Sequence, residues 1–198
     1  MIAAIVLAAG ASARMGRPKL VLPMSDGRAL VRVAVEQMLR ASLDDVVVVL
    51  GGEADAVREA LVGLPIREVV NPRYAEGQST SLRAGLDALR PETTAALVAL
   101  GDQPLPDPGV VARLADALRT TGRPIAVPVY RDGRGNPVLF AAALFDELRA
   151  VTGDRGGRAV IARDPQRVAE VPVDATMPAD VDTPEDYEAA RTAWRPRA

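Results

Sequence analysis

Ile2-Ala3-Ala4-Ile5-Val6-Leu7, followed by Ala8-Ala9-Gly10, opens the chain after Met1 and sets the reading of what comes next. The run from Ile2 to Leu7 is apolar without alternation, and it stops at small residues. A strand that is apolar on every residue is buried on both faces, which is the environment of a strand inside a parallel sheet.

Outward from this strand, short apolar runs alternate with helical patterns. Leu30, Val31, Ala34, Val35 and Met38 share one helical face, with Arg32, Glu36 and Arg40 opposite. Val46 to Leu50 reads as a second strand, ended by Gly51-Gly52, and Ala54, Val57, Ala60 and Leu61 mark the next helix. Ile66 to Val70 reads as a third strand, ended by Asn71-Pro72, and Leu82, Gly85, Leu86 and Leu89 recur at helical spacing. Ala95 to Leu100 is a fourth strand, halted by Gly101-Asp102-Gln103-Pro104, and Val110, Val111, Leu114 and Leu118 mark the helix after it. Ile125 to Val129 and Pro137 to Phe140 read as strands around a polar turn, and Arg167 to Val173 as a last one. A final helix starts at Pro184, with Thr183 as N-cap and Glu185 and Asp186 in its first turn. This alternation predicts an α/β chain: three layers, a mostly parallel sheet with helices on both faces, and an antiparallel strand in the less regular part after Ile125.

At 198 residues the chain fits a single domain over 1–198. Lys plus Arg is 24 against 26 for Asp plus Glu, a balance that suggests neither a nucleic-acid nor a membrane partner. There is no Cys and no His, so thiolate chemistry, a histidine base and a His- or Cys-held metal are excluded. Any metal is held by oxygen, which favours Mg²⁺ or Mn²⁺. The N-terminus lacks a basic region ahead of its apolar run, and no apolar run reaches membrane-span length, so the expectation is a soluble, cytoplasmic protein.

Ligands of open α/β sheets bind beyond the carboxyl ends of the strands, here the loops at 8–19, 51–52, 71–80 and 101–108. The first, Leu7-Ala8-Ala9-Gly10-Ala11-Ser12-Ala13-Arg14-Met15-Gly16-Arg17-Pro18-Lys19, is built of small residues that let backbone N–H groups approach a phosphate. A helix N-terminus offers an anion only about 0.3–1 kcal/mol. Direct contacts from cations such as Arg14 and Lys19 therefore have to hold a triphosphate. It is neither a Walker A nor a dinucleotide loop, and a surface loop with scattered basic residues is the plainer alternative. Asn71 to Leu82 combines turn formers with hydroxyls at a helix start, which read as an N-cap or as base-reading groups. Asp102 is a turn former or a metal ligand at a strand end. In Asp180-Val181-Asp182-Thr183-Pro184, the two acids are expected to face opposite ways, so that one of them joins Asp102; a simple acidic cap of the last helix is the alternative.

Leu7 to Gly16, with Lys19 beyond, resembles the loop of the nucleotidyltransferase family that includes molybdenum cofactor guanylyl- and cytidylyltransferases: Leu-Ala-Ala/Gly-Gly-x-Ser-x-Arg-Met/Phe-Gly, then Lys. Asn71 to Leu82 is similar to the family's Asn-Pro-x-Tyr-x-x-Gly-x-x-x-Ser-Leu stretch, Gly101 to Pro104 to its Gly-Asp-x-Pro motif, and Asp180 to Asp186 to its Asp-x-Asp-Thr-Pro-Glu-Asp pattern. The resemblance runs from residue 2 to about 190 and implies a Rossmann-like nucleotidyltransferase fold. It implies that Leu7, Ala8, Ala9 and Gly10 line a base pocket, that Arg14 and Lys19 contact the triphosphate, and that Asn71, Gln78 and Ser81 contact base and ribose. Asp102 and Asp182 are implied as ligands of Mg²⁺ or Mn²⁺. Ala9, where guanylyl enzymes tend to have glycine, leans towards CTP over GTP.

On the acceptor side, Gly133 to Pro137 is similar to the family's Gly-x-x-Gly-His-Pro turn, with Asn136 standing where the family has His. Asn136, Asp154 and Arg155 are the candidate contacts for a molybdopterin-type acceptor. The implied reaction is attack of an acceptor phosphate on the α-phosphate of the nucleotide, with Arg14, Lys19 and Asp102 as the catalytic groups. Two alternatives stay open: a nicotinamide-dependent reductase on the same fold, and a non-catalytic partner that delivers cofactor to a molybdenum hydroxylase apoenzyme.

Overall fold

The opening run forms β1 (Ile2–Ala8), hydrogen-bonded to parallel neighbours on both sides. The computed structural model describes residues 1–10, 15–103 and 108–194. After β1 come α1 (Leu30–Leu39), β2 (Asp45–Leu50), α2 (Ala54–Leu61), β3 (Arg67–Val70), α3 (Gln78–Asp87), β4 (Ala95–Leu100) and α4 (Pro108–Thr121). The second half holds β5 (Ile125–Tyr130), β6 (Gly133–Arg134), β7 (Val138–Ala141), α5 (Phe145–Arg149), α6 (Arg158–Arg163), β8 (Val168–Pro172) and α7 (Pro184–Ala193). The strands make one eight-stranded sheet in the order β3-β2-β1-β4-β7-β5-β6, with β8 paired to β5. β3, β2, β1 and β4 run parallel; β7 is antiparallel, inserted between β4 and β5, and the two-residue β6 pairs antiparallel with β5 at the edge. Strand limits differ from expectation by a residue or so. Arg167, for example, belongs to a 3-10 turn (Pro165–Arg167) whose N-cap Asp164 accepts from the Gln166 N–H.

β1 explains why its sequence has no polar side. Ala4, Val6 and Ala8 face a core shared with Val31, Val35, Val57, Leu61 and Leu114, from α1, α2 and α4. Ile5, Leu7 and Ala9 face the opposite core, with Leu82, Leu86, Leu148 and Val160 from α3, α5 and α6. Successive strand residues point to opposite faces, so a strand covered on both sides is apolar throughout. Ile5 and Val6 are fully buried, each worth about 1.5–3 kcal/mol relative to exposure. Gly85 lets α3 lie close on β1: a Cβ there would sit 2.3 Å from Ile5 Cγ2.

A third, smaller cluster joins the chain's two ends. Met15, Leu22, Met24 and Leu30 pack with Val181, Tyr187 and Trp194. Tyr187 donates its hydroxyl to the Pro23 carbonyl at 2.5 Å, and Trp194 Nε1 donates to Asp26 at 2.7 Å. α7 is capped as its sequence predicts: the Thr183 hydroxyl accepts from the Asp186 N–H, and Asp186 accepts from Thr183 N in return. Such a cap contributes about 1 kcal/mol. Among the described residues no helix is long and apolar enough to cross a membrane.

Candidate functional site

From β1 the chain moves to β2 and β3 on one side and returns to β4 on the other, so the strand order reverses between β1 and β4. The crevice beyond such a reversal is where open α/β sheets bind ligands. Here it is a cleft of about 430 Å³. Leu7, Ala9 and Gly10 line it from the end of β1, Gln78 and Ser81 from α3, and Asp102 from the turn after β4. Asn136, Asp154 and Arg158 line the opposite rim, and Asp180 and Asp182 close one end. Ala8 points the other way, into the core. Arg14 lies outside the described residues.

Beneath the acidic end of the cleft, three segments far apart in sequence meet to form a floor; Lys19 is buried there and is not itself part of the lining. A 3-10 turn (Lys19–Val21) turns Lys19 inward, with Leu20 anchored in the core. The Lys19 ammonium donates to Asp102 Oδ2 at 2.7 Å and to Asp182 Oδ1 at 2.9 Å. Burial works against that charge, but the two carboxylates outweigh it and hold Lys19 above the ordinary lysine value. Asp182 is itself set by the α7 cap, because its N–H donates to Asp186 at 3.2 Å.

The expectation that Asp180 and Asp182 face opposite ways is corrected: both line the cleft. Residues two apart on an extended segment share a face. It is Val181 between them that turns away, fully buried in the third cluster while its N–H donates to the Asp102 carbonyl at 3.2 Å. Asp180 accepts from Gln103 Nε2 at 2.9 Å. Burial pushes its carboxyl above the usual carboxylate range, and the charges of Asp102 and Asp182 push the same way. Asp180 and Arg158 are cleft groups that sequence reasoning left out of the site, and buried Gln103 holds Asp180 without lining the cleft itself; the signal for Asp180 was its two-residue spacing from Asp182.

The α3 wall is ordered from beneath. Asn71 is buried and is not part of the lining. Its amide donates to Thr80 Oγ1 and Ser81 Oγ, each at 2.9 Å, and its carbonyl accepts from the Arg73 N–H at 2.9 Å. It therefore holds the start of α3, from which Gln78 and Ser81 face the cleft. Gly77 sits at φ 109°, and a Cβ there would meet Asp154 Oδ1 at 2.8 Å. That close approach lets Asp154 accept from the Gln78 N–H at 3.3 Å, its negative charge lying at the α3 N-terminus. Arg155 lies outside the cleft, in an adjoining open groove with Arg158 and Arg163.

Asp102 and Asp182 fit a divalent cation. Two carboxylate oxygens already within 2.9 Å of one positive centre are the hard donor pair that Mg²⁺ or Mn²⁺ takes from a protein, with phosphates and water completing the shell. Among the described residues no group of three or more acids is placed to hold a metal.

Residues 4–169 match the MobA-like NTP transferase domain. The chain belongs to this family. It is 38% identical, over 91% of its length and 92% of the relative's, to the nicotine blue oxidoreductase of Paenarthrobacter nicotinovorans. It is 32% identical, over 98% of its length and 91% of the relative's, to the molybdenum cofactor guanylyltransferase of Rhizobium meliloti. The crystal structure of Rv0371c from Mycobacterium tuberculosis in complex with manganese superposes with a TM-score of 0.84 at 33% identity, covering 98% of this chain and 99% of that one. A divalent cation is therefore compatible with this fold, and the chain is a mixed α/β member of a nucleotidyltransferase family.

Proposed function

We propose that this protein transfers a nucleotidyl group from a Mg²⁺- or Mn²⁺-bound nucleoside triphosphate to a phosphorylated acceptor of the molybdopterin type. The observation that carries the reading is the meeting of Lys19 with Asp102 and Asp182 at the end of a loop of small residues between β1 and β4. An oxygen of the acceptor phosphate forms the new bond to the α-phosphorus. The bond from that phosphorus to the bridging oxygen breaks, and pyrophosphate leaves with the electron pair. A phosphate nucleophile is ionised at neutral pH, so the reaction needs no general base, in keeping with a chain that has no His or Cys. Catalysis is then positioning and charge neutralisation. Arg14 and Lys19 take the departing pyrophosphate, and the backbone at Leu7, Ala9 and Gly10 lies against the nucleoside. Asp102 and Asp182 hold the cation, whose bound charge supplies several kcal/mol of transition-state stabilisation. Ala9, at the position where guanylyl enzymes of the family tend to have glycine, favours CTP over GTP. Asn136 and Asp154 face the acceptor, with Arg155 beside them.

The test is release of pyrophosphate from CTP or GTP with a molybdopterin-type acceptor, with and without Mg²⁺. Metal-dependent release supports the reading; no release from any nucleotide overturns it. The 38% identity to an oxidoreductase supports a second reading, reduction of a quinonoid acceptor by NAD(P)H. Loss of absorbance at 340 nm in place of pyrophosphate release would favour it.

A further inference from the structure

Lys19 is the one lysine among the 24 Lys and Arg residues of the chain. Arginine serves at every other cationic side chain, including the ion pairs Arg67–Asp45, Arg149–Asp87 and Arg167–Glu147. The exception has a chemical meaning. A guanidinium is a flat fork that matches one carboxylate edge, whereas an ammonium is a compact point charge with donors in three directions. A guanidinium can join two carboxylates, as Arg28 does with Asp26 and Glu36, but it does so through separate nitrogens, whereas the Lys19 ammonium brings two carboxylate oxygens to a single atom, at 2.7 and 2.9 Å. A bare divalent cation has the same compactness and the same demand for oxygens. Two positive centres cannot share that seat, because they repel and because each draws on the same Asp102 and Asp182 oxygens.

We propose that the Lys19 ammonium is a removable stand-in for the divalent cation: without nucleotide it occupies the metal's seat between Asp102 and Asp182, and the arriving polyphosphate draws it away and frees the seat. The inference rests on the phosphate-binding role proposed above, but the seat itself can be tested without nucleotide. The stand-in has two consequences. It offsets part of the negative charge of a corner where Asp180 adds a third carboxylate, so the empty protein does not hold three acids together unopposed. It also couples the ligands, since metal and nucleotide each remove an obstacle to the other, and such coupling is reciprocal.

The experiment measures Mn²⁺ binding to the full chain without nucleotide, from the electron paramagnetic resonance signal of free Mn²⁺. K19M and K19Q should each bind Mn²⁺ about tenfold more tightly than the unsubstituted protein, and adding D102N to K19M should abolish the gain. Mn²⁺ should also raise the melting temperature of K19M more than that of the unsubstituted chain, a readout that works even where the substitution loosens the fold. Because the chain has one lysine, ¹³C-lysine labelling yields a single Cε signal. Mg²⁺ alone should leave it in place, and Mg²⁺ with a non-hydrolysable nucleotide should shift it. K19M and K19Q that are folded by circular dichroism and bind Mn²⁺ no more tightly than the unsubstituted chain would overturn the proposal, as would a Lys19 signal indifferent to nucleotide. Tighter Mn²⁺ binding by K19M, together with an unsubstituted chain that releases no pyrophosphate from any nucleotide, would keep the stand-in and reject the transferase, so the two failures are distinguishable.

Discussion

The floor of the cleft and its far rim are held in different ways. At the floor, Lys19 joins Asp102 across 83 residues of chain and Asp182 across 163, and the Val181 N–H ties the last segment to the Asp102 backbone. At the rim, Asn136 lies beyond a turn, and among the described residues neither Arg155 nor Arg158 forms an ion pair. The floor has its cation held between two acids before any ligand arrives, while the rim arginine Arg158 is left without an acidic partner among the described residues. On the function proposed above, such a site would treat the common part of its substrates, the polyphosphate, as fixed, and leave the variable part to groups that are cheap to change. The two family relatives bear different names, guanylyltransferase and oxidoreductase, on one fold, as expected when function resides in the site rather than in the architecture.

The strongest way to break this contrast is at the floor. Asp102→Ala should lower turnover by about three orders of magnitude, several kcal/mol of lost charge stabilisation. Its circular dichroism melt should stay near that of the parent. Near-normal pyrophosphate release from this variant would remove Asp102 from the metal. The wall comes next. Asn71→Ala removes the amide donor shared by the Thr80 and Ser81 hydroxyls and should cost about 1–3 kcal/mol, read from the urea midpoint, with a raised KM for nucleotide. An unchanged midpoint would show that Asn71 does not order α3.

The rim should respond more weakly and selectively. Arg158→Ala should raise the acceptor's KM by roughly tenfold, the loss of one charge-assisted contact, and leave the nucleotide's KM alone. Equal effects on both would erase the division between floor and rim. The smallest effect concerns the clamp between the chain's two ends. Arg28, hydrogen-bonded to Asp26, holds that carboxyl at about 2; Trp194 helps, and burial opposes. A carboxyl depressed in the folded state contributes stability that is complete above the ordinary carboxylate value and is lost as pH falls from about 4 towards 2. Thermal melts followed by Trp194 fluorescence should therefore drop between pH 6 and pH 3, and less so in D26N.

The parts of the molecule that were legible share one property: their environment is uniform along the element. β1, β2 and β4 are covered on both faces, so Ile2 to Leu7, Val46 to Leu50 and Ala95 to Leu100 could only be apolar runs. Thr183-Pro184-Glu185-Asp186 announces α7 because a cap is satisfied within its own first turn. α5 and α6, with five and six residues, are too short for a 3.6-residue repeat to register. The loop motifs brought Gln78, Ser81, Asp102, Asn136 and Asp154 to the list of cleft residues, whereas Asn71 works one layer beneath and Arg155 one groove away.

By itself the sequence determined the layered α/β architecture, the exclusion of thiol and imidazole chemistry, and the loops on which a ligand site would have to stand. These follow from local pattern and composition, which each segment carries within itself. Tertiary structure alone decided that Lys19 sits between two aspartates of distant segments and that β7 is inserted between β4 and β5. Those outcomes depend on which distant segments the packing of β1 and α7 brings together, and no residue's own neighbourhood in the chain encodes its partner 163 positions away.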